Sequence, residues 1–124
     1  MSKTDKTPVY LMIECPFCLK FRIFLNEAGL DDKVELIVFN SGDDTHQATR
    51  NRMIEAGQKP SFPAAELEKG KLTAETDFLI EHFSKEYGVD AKALPLLQYY
   101  LDGVFGRVGA MHKELAELKE KVGK

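Results

Sequence analysis

Cys15 and Cys18 are the only cysteines of this 124-residue chain, and they stand three apart, with Pro16 between them, in the stretch IECPFCLKFRIFLNEAG, residues 13–29. Proline is favoured at the first helical position, where its missing N–H would have no intrahelical partner anyway. Pro16 in that place makes Cys15 the N-cap, its sulfur facing the free N–H groups of the first turn. Those donors and the positive end of the helix macrodipole favour the thiolate, the nucleophile of disulfide exchange. Cysteines so placed have pKa values of roughly 3.5–7.5. Cys18 lies one turn further in, close enough to attack a mixed disulfide on Cys15 and nearer the covered body of the helix, where a thiol stays protonated. The pair reads as attacker and resolver. Glu14 works against this, since a carboxylate beside a thiolate raises its pKa, though an exposed one is screened.

Other chemistries fit less well. A zinc site needs four ligands, and His46, His82 and His112 are scattered without metal-ligand spacing, so no metal is expected. A buried, inert CxxC is the bland alternative; Pro16 at a strand-to-helix junction favours the redox one. Pro63, in KPSFPAAE, heads a predicted strand, where a proline is awkward unless the peptide bond before it serves a purpose. A cis bond and an ordinary trans proline on an edge strand both fit that position.

Composition bounds the rest. With 44% hydrophobic and 30% charged residues, the chain has material for one core. A net charge of −3, with acids and bases mixed, offers no basic face for nucleic acid. The polar start MSKTDKTP precedes only about five apolar residues, too few for a signal-peptide core or a membrane span. A cytoplasmic protein with a flexible tail over residues 1–7 is the expectation. One CxxC closes too small a loop to act as a structural staple, which agrees with a reducing compartment.

The elements that must position the cysteines follow from periodicity. Val9–Ile13 and Val34–Phe39 are nearly continuous apolar runs, as in a parallel pair of strands covered on both faces. Between them Phe21, Phe24, Leu25 and Ala28 recur at helical spacing, and Gly29 closes the helix. A second, more polar helix runs from about Thr45 to Gly57. FPAAELEKGKLT gives a hairpin about residues 68–70. From Glu75 to about Tyr87 the residues Phe78, Leu79, His82 and Phe83 share one side, with Thr73 as N-cap. The order is βαβαββα, an α/β domain.

CPFC after a first strand, SFP leading a third and LTAETDFLIEHF opening a third helix resemble the thioredoxin-fold domain of glutaredoxins and the N-terminal domain of glutathione transferases. The resemblance is closest to the glutathione-transferase-like bacterial glutaredoxins, whose CPYCLK is similar to CPFCLK here and whose second-helix region is similar to TRNRMIEAGQK. It covers about residues 8–88, the expected glutaredoxin domain. Carried across, it implies a thioredoxin-like fold with Cys15 as nucleophile, Cys18 as its dithiol partner and Pro63 as a cis-proline. Phe62 would present its backbone to the cysteinyl part of glutathione. Glu75 and Thr76 would form the acid-plus-hydroxyl pair that holds the γ-glutamyl group. That pair is chemically apt: Glu75 takes an ammonium, while the Thr76 hydroxyl and a helix N-terminus take a carboxylate. The alternative is that Glu75 merely complements the helix dipole. Small glutaredoxins often carry a cation three residues before the first cysteine; Met12 stands there, and Lys59 is the substitute for the glycyl carboxylate.

A glutathione transferase continues into a helical domain of a hundred or so residues, whereas residues 89–124 leave room for a helical extension only. Within it Leu94, Leu97, Leu101, Val104, Val108, Met111, Leu115, Leu118 and Val122 alternate three and four apart, the a/d pattern of a coiled coil. A helix from Pro95 to Val122 would be about 42 Å long, longer than a small domain is wide. Its first half is apolar nearly all round, with Leu96, Tyr99, Tyr100 and Phe105. Its second half has a narrow stripe flanked by Lys113, Glu114, Glu117, Lys119 and Lys121, which reads as a dimerisation element. Gly103, Gly106 and Gly109 each cost about 1 kcal/mol in a helix interior, so one long helix and a helical hairpin are both open.

The sequence thus predicts a glutathione-dependent thiol-disulfide oxidoreductase of glutaredoxin type acting on glutathionylated or disulfide-containing proteins. Glutathione is the cosubstrate; no cofactor, nucleic acid or membrane is expected, and a homodimer through the C-terminal helix is. The alternatives are a glutathione transferase-like enzyme and a non-catalytic interaction module.

Overall fold

The apolar runs form strands and the 3.6-spaced runs helices, in the order β1 (Thr7–Met12), α1 (Pro16–Glu27), β2 (Val34–Phe39), α2 (Asp44–Glu55), β3 (Ala64–Glu68), β4 (Lys71–Ala74) and α3 (Thr76–Tyr87). The computed structural model describes residues 6–122, with the side chains of all of these but 112 and 120–122. Most of the expected tail, residues 1–5, and the side chains of His112 and Val122 therefore lie outside what is described.

The sheet order is β2-β1-β3-β4. β1 is parallel to β2, with Thr7 opposite Val34 and Met12 opposite Phe39, and antiparallel to β3. Alternate residues of a strand face opposite sides. Val9, Leu11 and Ala65 accordingly meet Phe21, Phe24 and Leu25 of α1 and Leu79 and Phe83 of α3, while Ala64 packs with Met53 of α2 and Tyr10 beside it. This is the thioredoxin-like α/β fold that the motif order implied.

Four local expectations are corrected. Thr7 is already paired in β1, whereas Ile13 has left the strand and is exposed. β2 is an edge strand, so Val38 is exposed rather than covered: among the described residues no further strand lies beyond β2. Thr73 does not cap α3. Pairing of β4 with β3 runs through Ala74, and the cap position falls to Glu75, with no side-chain cap bond. Phe78 is exposed and apart from its neighbours Leu79 and Phe83.

After α3 the chain turns through residues Ala91–Ala93 and enters α4 (Pro95–Tyr100), a wide π turn (Leu101–Phe105) and α5 (Gly106–Val122). The helical run is continuous, so the hairpin is excluded; Gly103 lies inside the π turn and Gly106 directly follows it. Both carboxylate oxygens of Glu27, the last residue of α1, accept bonds from the Leu96 and Leu97 N–H groups at 2.7 and 2.8 Å. At the other end of α1 the Tyr100 hydroxyl donates to the Pro16 carbonyl at 2.9 Å. These two ties lay α4 antiparallel on α1. Leu97 belongs to the same core as α1 and α3, so the first part of the extension is built into the domain.

Candidate active site

The site grows from the first turn of α1. Cys15 is its N-cap, with φ −100° and ψ 120°, and Pro16 begins the helix. The Cys15 sulfur accepts the Cys18 N–H at 3.4 Å, and the Cys18 sulfur accepts the Met12 N–H at 3.3 Å. Both cysteines are free; Cys15 is partly exposed and Cys18 buried. A hydrogen bond from the Cys18 thiol, helped by the backbone N–H groups of Cys18 and Phe17, outweighs burial and lowers the Cys15 pKa to about 6. The same bond, together with burial, pushes the Cys18 thiol strongly up. One proton is thus held on the inner sulfur, and the outer sulfur is a thiolate at neutral pH.

The thiol form of Cys15 reaches the Phe62 carbonyl at 3.7 Å, and the Phe62–Pro63 peptide bond is cis. The Phe62 ring is wedged edge-on against Phe39 and His46, at 4.9 and 5.6 Å between centroids. His46 is itself fixed: its N–H bonds the N-capping Asp43 carboxylate at 2.9 Å and its Nδ1 accepts the Gly42 N–H at 2.8 Å. A histidine that looked isolated in the sequence therefore holds Phe62 in place. The signal for it was Asp43 three residues earlier, an N-cap for α2.

Beyond Phe62 a cavity of about 230 Å³ is lined by Phe17, Lys20, Ser61, Phe62, Glu75, Thr76 and Asp77. Glu75 has φ +90°, a region that side-chain-bearing residues rarely occupy and that costs of order 1–3 kcal/mol. Thr76 follows as the first residue of α3 and is buried. Lys20 was not anticipated. Its ammonium bonds Asp77 Oδ1 at 2.7 Å and sits 5.0 Å over the Phe105 ring. Lys59 is exposed and lines an adjoining depression of about 890 Å³, which it shares with Ser61 and Glu75. The fold therefore brings Cys15, Cys18, Phe62 and Pro63 together, sets Glu75 and Thr76 in the cavity beside Phe62, and leaves Lys59 in the adjoining depression.

On its other side Cys15 lines an apolar cavity of about 480 Å³ with Ile13, Val38, Tyr100, Val104 and Val108. The Tyr100 hydroxyl stays protonated: burial, and then the negative Cys15, push its pKa up. Among the described residues no three His, Cys, Asp or Glu side chains gather as a metal site, and no helix is long and apolar enough to cross a membrane.

Comparison with known proteins agrees with this fold. No curated protein matches the sequence. Among solved structures, glutathione transferase Omega 2S from Trametes versicolor, in complex with 2,4-dihydroxybenzophenone, has a similar fold, with a TM-score of 0.50 and 21% identity. The match covers 73% of this chain and 41% of that one, so this chain spans less than half the length of the transferase. The family described as Glutathione S-transferase, N-terminal domain, matches residues 9–97. With most of its length so matched, the chain belongs to the glutathione S-transferase N-terminal-domain family.

Proposed function

We propose that the protein is a glutathione-dependent thiol-disulfide oxidoreductase of glutaredoxin type. The observation that carries this is the opposite displacement of the two thiols, Cys15 down to about 6 and Cys18 up, on one turn of α1. With a glutathionylated protein, the Cys15 thiolate attacks the glutathione sulfur. A Cys15–glutathione disulfide forms, and the protein leaves as a thiolate that takes a proton from water. A second glutathione thiolate then attacks the sulfur of the bound glutathione, giving oxidised glutathione and restoring the Cys15 thiolate. With a protein disulfide, Cys15 forms a mixed disulfide. Cys18, losing its proton to the leaving sulfur, attacks Cys15, and the resulting Cys15–Cys18 disulfide is reduced by two glutathiones.

Glutathione fits the cavity beside Phe62 by charge: Glu75 meets its ammonium, Thr76 and the α3 N-terminus its γ-glutamyl carboxylate and Phe62 its cysteinyl backbone, while Lys59, in the adjoining depression, is assigned its glycyl carboxylate. Glutathione is a cosubstrate here, no metal or other cofactor takes part in the reaction, and the cytoplasm, where glutathione is reduced, is the compartment that suits it. The decisive experiment is a glutathione-coupled reduction of a mixed disulfide by the wild type and by Cys15→Ser. Turnover that falls to background in the variant supports the proposal; turnover that persists refutes it. A conjugating transferase has one observation in its favour, the apolar cavity on the far side of Cys15. Faster conjugation of an aryl halide than disulfide exchange, in the same assay series, would assign the protein to that chemistry.

A further inference from the structure

We propose that α5 pairs antiparallel with α5 of a second copy of this chain, so that Leu115 and Leu118 of each fill the apolar cavity beside Cys15 of the other. The a/d residues of the extension have two fates. Leu97 is 1% exposed and Leu101 packs against the domain core, whereas Leu115 and Leu118 are 50% and 51% exposed on a helix that has passed the end of α1. Val108 belongs both to the cavity beside Cys15 and to a second hollow of about 420 Å³ along α5, lined by Met111, Leu115 and Leu118. The two form one apolar trough, about 21 Å long from Val104 to Leu118 at the helical rise.

The stripe itself suits a second copy. From Val104 to Leu118 the apolar residues keep the three-and-four spacing of a coiled-coil seam, which serves parallel and antiparallel pairs alike, while Leu101 packs into its own domain's core. A second α5 laid antiparallel sets Val108 against Met111 and Val104 against Leu115, each contact made twice about a two-fold axis. The flanking charges agree. Arg107 and Glu114 lie seven residues apart on one side of the stripe, so the same axis brings Arg107 of each copy opposite Glu114 of the other. A parallel pair would crowd the two domains at one end, since each joins its α5 at the Phe105 end, and would leave the cavity without Leu115. A membrane is a poorer occupant, because acids and bases alternate beside the stripe (Lys113, Glu114, Glu117 and Lys119) instead of forming a basic flank.

Sedimentation of the full chain tests this without redox turnover, so its outcome is independent of the oxidoreductase reading. At tens of micromolar the wild type should have twice the 14.0 kDa chain mass, and Leu115→Glu should halve it. Arg107→Glu and Glu114→Arg should each weaken the dimer at least tenfold, and together in one chain restore it. A bulky apolar maleimide should label Cys15 several-fold faster in Leu115→Glu, with small iodoacetamide unchanged. A monomeric wild type, including one that binds vesicles or another protein instead, overturns the proposal, as does a dimer indifferent to Leu115→Glu. Restoration by Glu114→Lys with Lys119→Glu, rather than by the Arg107–Glu114 exchange, overturns the antiparallel register. Unchanged maleimide labelling overturns the filling of the cavity.

Discussion

Cys15 has two unlike flanks. On one side lies the small polar cavity of Phe62, Glu75 and Thr76, built wholly within the thioredoxin-like unit and including a backbone held at φ +90°. On the other lies an apolar cavity twice as large, one wall of which comes from Tyr100, Val104 and Val108 of the extension. The sulfur's reactivity depends on neither, because its largest source is the Cys18 thiol one turn away. Nucleophile and surroundings are thus separable: α1 decides what Cys15 is, and two distant parts of the chain decide what it meets.

That separation can be attacked directly. The largest effect should come from Cys15→Ser, which leaves both flanks intact and removes glutathione-coupled disulfide reduction altogether; Cys18→Ser should lose reduction of protein disulfides and keep that of glutathionylated substrates. Next, Glu75→Gln removes a charge-assisted contact worth about 1.5–3 kcal/mol, so steady-state kinetics should show KM for glutathione rising roughly tenfold to a hundredfold. Alkylation of Cys15 should not change, and a slowing of it would show that the polar flank also tunes the thiolate. Third, the alkylation rate of Cys15 should follow its thiolate, half-maximal near pH 6 and about a tenth of its plateau at pH 5. Protonation on the acid side removes the nucleophile, so the rate falls as pH falls. Cys18→Ala, which deletes the largest cause of the lowered pKa, should move the midpoint upward; an unmoved midpoint would transfer the credit to the helix N-terminus. The smallest effect belongs to Tyr100→Phe, which deletes the bond to Pro16 and should lower stability in urea by about 1 kcal/mol. Disulfide exchange should be nearly unaffected, and a large loss of activity would join the two flanks that the first three tests keep apart.

Much of this site was legible in the sequence because it is local. The N-cap geometry of Cys15 depends on Pro16 and the helix it begins, and a few residues suffice to state it. What the sequence withheld was tertiary. Thr73 has better capping chemistry than Glu75, but β4 claims it for pairing with β3, and the cap moves two residues on. Val38 sits in an apolar run that reads equally well as a central or an edge strand. Lys20 looks like a solvated helix residue until Asp77, fifty-seven positions away, is brought against it. Lys59 was chosen for its charge, and the fold sets it in a depression shared with Ser61 and Glu75 that adjoins the cavity beside Phe62. The three glycines of the extension signalled a break, and two of them instead mark a change of helical gauge.

That change of gauge has a consequence for how the chain bears a change of length. The π turn at Leu101–Phe105 holds one more residue than an α-helical turn would, so five residues there cover about the rotation that four cover in α geometry. Deleting a single residue between 101 and 105 would restore α geometry and leave Met111, Leu115 and Leu118 on nearly the same bearing, whereas a deletion early in α5 would swing every side chain beyond it through about 100°. The turn works as a slack link in a shaft, absorbing a residue that the seventeen of α5 could not lose without turning the stripe off the trough beside Cys15.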